Sequence, residues 1–269
     1  MFKVKFRTAA MLSRMILILA GIASAGGMLI GDLYRDNELV KAAWYGNDLV
    51  TLFVAVPSMA GALWFAFRGS QRAQLIWIGT LWYMVYNYIF YLYAAAFNKF
   101  FLLYTALFAL SSYAMIFALL KIDAKSMAKK FSSRTPVKWI SGYMLFFALL
   151  LGGLWIMMSI NFIITGQVPQ DILQTDHPTG VVYATDLALL MPATVLSAIL
   201  LWKRQAWGYV LSVMVLVKGA AYSLVLMVMS VISYRKVGQA DPYIYLWIAL
   251  GVGAMLALGG LLVNMQSDN

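Results

Sequence analysis

The sequence predicts an all-α, polytopic helical membrane protein with eight transmembrane helices. Three observations carry that prediction. Of 269 residues, 63% are hydrophobic and only 11% charged, against about half and about a quarter in soluble domains. The apolar residues gather into runs close to the length, about 20 residues, that crosses a bilayer as a helix. Finally, 14 of the 20 Lys and Arg residues fall in alternate connections, the pattern that marks cytoplasmic loops. A soluble globular enzyme, a disordered tail and a nucleic-acid-binding domain are excluded, and the net charge of +10 is read as topology rather than as affinity for a polyanion.

Apolar runs place the spans at 12–31, 48–67, 74–96, 100–120, 139–165, 181–202, 207–233 and 243–264. The basic residues of one side are Lys3, Lys5, Arg7 and Arg14, then Arg68 and Arg72, then six between Lys121 and Lys138, then Lys203 and Arg204. Both termini are therefore expected in the cytoplasm. The acids Asp32, Asp36, Glu38, Asp48, Asp171, Asp176 and Asp241 lean to the outer side, where they form a cation-attracting rim or simply solvate the loops. An A-x-A-like site, Ala23-Ser24-Ala25, follows the basic start, but apolar character continues to Ile30, which argues against a cleaved signal peptide.

The chain reads as two similar halves. The first four-helix repeat covers 1–120, a basic cytoplasmic linker 121–138, and the second four-helix repeat 139–269. Tyr45-x-x-Asp48-Leu49 leads to Pro57 and Arg68, and Tyr183-x-x-Asp186-Leu187 leads to Pro192 and Lys203. Each basic residue lies 11 residues after its proline, while the Asp-to-Pro spacing is nine against six, so the match needs a gap of about one turn. Counted from the prolines, Tyr83 matches Lys218 and Asn87 matches Tyr222. An even number of spans per half gives a parallel repeat, with the halves related about the membrane normal.

Charges inside spans are functional candidates by default, and Asp186 and Lys218 stand out. Asp186 is expected about 8 Å below the outer end of its span and Lys218 near mid-membrane. They read as an ion pair or proton-coupling site, or as a structural pair fixing helix register. In the third span Tyr83, Asn87 and Tyr91 recur every four residues on one face, lining a cavity or gluing helices together. Pro57 and Pro192 are expected to kink their helices, depriving the Phe53 and Ala188 carbonyls of their donors. Small-residue faces at Gly27-x-x-x-Gly31 and Gly253-x-x-x-Ala257 favour close helix approach. A lysine in the seventh span invites a Schiff-base comparison, but no other feature supports a chromophore.

The absence of Cys excludes disulfides, thiolate chemistry and Cys metal sites. His177 is the sole histidine, so bis-histidine haem ligation within one chain is excluded. Asp176 and His177 are the outer-face candidates for an acid–base pair. No Walker loop, Rossmann fingerprint, HExxH or G-x-S-x-G motif is present.

The stretch Asn47-Asp48-Leu49-Val50-Thr51 through Pro57, with Arg68-Gly69-Ser70 and Ala95-Ala96-Phe97-Asn98, resembles a group of uncharacterised bacterial polytopic integral membrane proteins. The likeness is best over the first half and is echoed by Asp186-Leu187 and Trp207-Gly208-Tyr209. It implies a bacterial cytoplasmic membrane and carries over no activity or functional residues.

The leading expectation is a small-molecule or ion transporter, or ligand-binding membrane protein, with a polar site between the repeats formed by Asp48, Asp186, Lys218, Tyr83, Asn87 and Tyr222. The alternatives are a membrane-embedded enzyme with an outer-face acid–base site and a structural or accessory subunit. Expected partners are the lipid bilayer, a small-molecule or ion ligand and, as a further candidate, a second copy of the chain (homo-oligomer). No nucleic acid, cofactor or metal is expected.

Overall fold

The computed structural model of the protein describes residues 6–266. Its described residues form eight helices long and apolar enough to cross a membrane: Arg7–Leu29, Glu38–Phe67, Gln71–Tyr93, Phe101–Lys121, Val137–Thr165, Val181–Trp202, Ala206–Val237 and Ile244–Val263. We number them as spans one to eight. Two short helices, Ala124–Ala128 and Gln170–Thr175, lie in the connections. Among these residues no strand forms; Phe131 and Met265 share an isolated bridge.

The expected boundaries hold within a few residues except at span two, which begins at Glu38 rather than at 48. Asn37 caps it, its side chain accepting from the Val40 N–H, and Glu38 in the first turn complements the helix dipole. Glu38, Lys41, Asn47 and Asp48 interrupt the apolar run, so hydropathy alone misses nearly three turns. As a result Asp48 is not at the outer end of its span but ten residues in, about 15 Å along the axis. Span seven likewise continues to Val237, taking Arg235 and Lys236 into its last turn, where cations suit the helix C-terminus. Gly238 then stops it at φ 76°, as Gly166 stops span five at φ 70°; glycine tolerates this left-handed backbone.

Both predicted proline breaks take the form of π-helical segments rather than sharp kinks. Thr51–Ala55 and Asp186–Leu190 are wide turns, in which Val56 N–H bonds to the Thr51 carbonyl and Met191 N–H to that of Asp186. Each leads into a 12-residue α-helix with proline in its second position. Proline has no N–H to donate and crowds the carbonyl four residues back; the widened turn absorbs both defects.

Span three is the most enclosed helix. Its most apolar window is 89% buried, against 22–44% for the other spans. Span seven is its counterpart as a hub, packing against spans two, three, six and eight. Glycines permit these crossings: a Cβ on Gly46 would lie 2.8 Å from the Met229 Cα, and one on Gly79 2.5 Å from the Val217 Cβ. Of the small-residue faces, Gly27 makes room for Asp48 and Tyr34, and Gly253 for the Tyr143 ring, whereas Gly31 meets nothing within 4 Å. Span six touches span three chiefly through its first turn, and a cavity lies between them.

The basic connections meet on one face. Arg72 donates to the Met265 carbonyl, Gln266 N–H to Lys130, and Arg204 to the carbonyls of Ser133 and Thr135. On the opposite face Asn37 donates at 2.9 Å to both the Gln174 carbonyl and Asp176. That contact latches the loop before span two to the loop before span six.

Candidate functional site

A cavity of about 540 Å³ lies among spans two, three, five, six, seven and eight. Gln170, Thr175 and His177 line it at the acidic face, and Lys218, Gly219 and Asp186 at depth. Its walls are largely apolar and aromatic, including Tyr86, Phe147, Leu151, Trp155, Leu250 and Ala254.

Asp186 is the first residue of its π segment and only 3% exposed. Its carboxylate accepts from the Tyr86 hydroxyl at 2.5 Å and from Trp155 Nε1 at 2.9 Å. Lys218 is 2% exposed, and its Nζ lies 3.2 Å from the centroid of the Tyr86 ring and 4.9 Å from that of Tyr222. The two rings meet edge to face, 4.7 Å apart. Asp186 and Lys218 therefore share Tyr86, its hydroxyl serving the acid and its face the cation. They make no direct ion pair; among the described residues the carboxylate–ammonium pair in contact is Lys41–Glu38, at 2.9 Å.

Two more carboxylates line the cavity nearer its acidic end. Asp171 accepts from the Tyr183 hydroxyl at 2.8 Å, and Tyr183 stacks on Trp155 at 4.5 Å. Asp241 accepts from Ser230 at 2.5 Å, from Trp247 Nε1 at 2.9 Å and from the Tyr243 N–H at 2.8 Å. All three carboxylates are thus oriented by aromatic donors, and each keeps acceptor capacity toward the cavity.

The six predicted ligand residues divide into two places. Asp186, Lys218 and Tyr222 line the cavity. Asp48, Tyr83 and Asn87 do not; they belong to a packed phenol cluster in the first half. Asp48, 2% exposed, accepts from the hydroxyls of Tyr34 at 2.6 Å and Tyr91 at 2.8 Å. Tyr83 shares a 2.8 Å hydrogen bond with Thr51, and both amide atoms of Asn87 are buried without a partner. Trp44 and Tyr104 pack on Tyr91, with centroids 4.9 and 4.8 Å away. Tyr83 and Tyr222, 6.1 Å apart, connect the cluster to the cavity.

Pro57 and Pro192 sit behind their π segments and do not line the cavity. Asp176 is engaged with Asn37, while His177 lines the outer end. Its Nε2 is buried without a partner. Burial lowers the His177 pKa from the ordinary imidazole value, against the opposing pull of Asp36, the nearby Ala94 backbone and Asp176. Among the described residues no group of three or more His, Asp or Glu side chains converges on a metal-sized site.

Sequence reasoning missed Trp155, Tyr183 and Asp241 as site residues. Tyr183 had a signal in the shared Tyr-x-x-Asp-Leu pattern and Asp241 one in the acidic rim; Trp155 had none, because its role depends on which spans are neighbours. No protein-family model, curated protein or solved structure matches the chain.

Proposed function

We propose that the protein is a small-molecule or ion transporter of a bacterial cytoplasmic membrane, with its ligand site in the cavity at Asp186, Lys218 and Tyr222. The observation that carries this reading is the cavity itself. It runs from the loops at the acidic face to a lysine and an aspartate held inside the bundle. Such groups are costly within a membrane and mark substrate or ion paths, and the volume lies in the range of about 300–1,000 Å³ typical of small-molecule sites.

The reading includes two similar halves with both chain ends on the cytoplasmic side. What supports duplication is a constant offset of 135 residues. It carries Thr51–Ala55 onto Asp186–Leu190, Pro57 onto Pro192, and Tyr83 onto Lys218. It also carries Gly69, at φ 100°, onto Arg204, at φ 53°. The turns agree bond for bond: Ser70 N–H reaches Phe65 and Gln205 N–H reaches Leu200. In this register the aspartates are a turn apart, since Asp186 falls on Thr51. The gap needed to match Tyr-x-x-Asp-Leu thus separates a packed acid from one facing the cavity. Clustering of the basic connections on one face supports the cytoplasmic assignment, and so does the resemblance to bacterial polytopic membrane proteins.

The lack of native Cys makes single-cysteine mapping clean. In proteoliposomes, Leu226→Cys and Leu190→Cys, both on the cavity wall, are expected to react with a charged, membrane-impermeant thiol reagent. Leu107→Cys, buried outside the cavity, is expected not to react. Equal protection of all three would remove the water-accessible site. Reaction of Leu190→Cys from both membrane faces is the signature of transport, and reaction from the acidic face alone would reduce the reading to ligand binding.

A further inference from the structure

We propose that the cavity binds a hydrophobic organic cation, which takes the place of the Lys218 ammonium against Tyr86 and Tyr222. The inference rests on the ligand-cavity reading above and adds the chemical class of the ligand.

The charged and titratable groups along the wall set its sign. Asp171, Asp186 and Asp241 are acids; Lys218 and His177 are the bases. An anion entering from the acidic face would pass Asp171 and Asp241 before reaching Lys218, whereas a cation is drawn along the same route. These acids mark two depths. Ser230, which touches Asp241, lies 12 residues along span seven from Lys218, about 18 Å of helix.

The walls set the shape. A bare metal ion asks for several converging oxygen ligands, but the carboxylates here are spread out and interleaved with rings. Tyr86, Tyr222, Trp155 and Tyr183 supply π faces instead, and Leu151 and Leu250 supply aliphatic surface. That combination suits a cation whose charge is wrapped in apolar groups.

Lys218 already demonstrates the subsite. Its ammonium is nine-tenths buried or more, faces the cavity, and makes no ion pair with a carboxylate. Instead it lies on the face of a ring whose hydroxyl is bound to Asp186, so donation to the acid enriches the ring that receives the cation. A ligand cation placed there gains the same ring faces and the nearby acid, and it must displace the tethered amine.

The test is equilibrium binding of tetraphenylphosphonium and its anionic isostere tetraphenylborate to the purified full-length protein in nanodiscs, scored as the saturable fraction above empty discs. Tetraphenylphosphonium is expected to bind and tetraphenylborate not. Lys218→Met, which removes the resident cation, is expected to tighten tetraphenylphosphonium binding about tenfold, the loss of one desolvated cation–π competitor. Asp186→Asn is expected to weaken it. The comparison of the two ions on the wild-type protein does not depend on either variant folding. Preference for tetraphenylborate, or binding of neither ion, would overturn the cation assignment and leave the ligand cavity to stand or fall on the cysteine mapping. Tetraphenylphosphonium affinity identical in the wild type and in folded Lys218→Met would place the cation elsewhere and overturn the inference.

Discussion

At the scale of single residues, Tyr86 organises the cavity. It gives its hydroxyl to Asp186 and its ring face to Lys218, and it is buried from bulk solvent while lining the cavity. Tyr86→Phe keeps the ring and removes the donor. It is expected to cost about 1.5–3 kcal/mol, the usual value of a hydrogen bond to a charged group, read as a lower unfolding temperature in detergent. In an Asp186→Asn background the same substitution should cost less, because the two groups are coupled; equal cost in both backgrounds would deny the bond. Part of this was legible in the sequence. The face carrying Tyr83, Asn87 and Tyr91 does form one buried stripe, as four-residue spacing requires. Its partners are a different matter: Tyr86 and Asp186 are 100 residues apart, and no local pattern records that they meet.

At the scale of elements, two devices decide how the spans meet: π segments ahead of proline and glycines at crossings. Gly46 is a crossing glycine, with Met229 backbone where its Cβ would go, while nothing lies within 4 Å at Gly61. Gly46→Ala should therefore destabilise by about 1–3 kcal/mol, the range of core overpacking. Gly61→Ala should be neutral or stabilise by up to about 1 kcal/mol through helix propensity. Paired thermal melts of the two variants check this, and a neutral Gly46→Ala would contradict the close approach of spans two and seven. The proline positions were readable, as proline must break the ladder somewhere. That the break becomes a wide turn starting at Asp186 was not, since the same donor can be lost through a kink or absorbed in a π turn.

At the scale of the whole molecule, the loop before span two is tied to the loop before span six at the acidic face by Asn37 with the Gln174 carbonyl and Asp176, beside which His177 is half-buried. Burial holds the folded His177 pKa below its unfolded value of about 6.5. Between those two values the unfolded chain binds more protons than the folded one, so stability rises with pH across that window. The contribution is complete above about pH 6.5 and is lost as pH falls through the folded value. Melting temperatures should therefore decline on acidification below about pH 6.5, and His177→Gln should flatten that decline. A slope unchanged by the substitution would assign the effect to other groups.

The sequence by itself determined that this chain carries eight segments long and apolar enough to cross a bilayer as helices, and that most of its basic residues fall in alternate connections. Hydropathy and charge are properties of contiguous segments, and they survive reading in one dimension. It also singled out Asp186 and Lys218, because a charge inside an apolar run is conspicuous wherever the run folds. Only the tertiary structure decided that Asp48, Tyr83 and Asn87 are packed among phenols while Asp186, Lys218 and Tyr222 face a cavity. The first four spans and the last four carry similar polar residues. What separates their fates is that Gly46 lets span two close tightly on span seven, whereas span six stands off from span three below its first turn. Such gaps arise from the packing of residues more than 100 positions apart, which no sequence window contains.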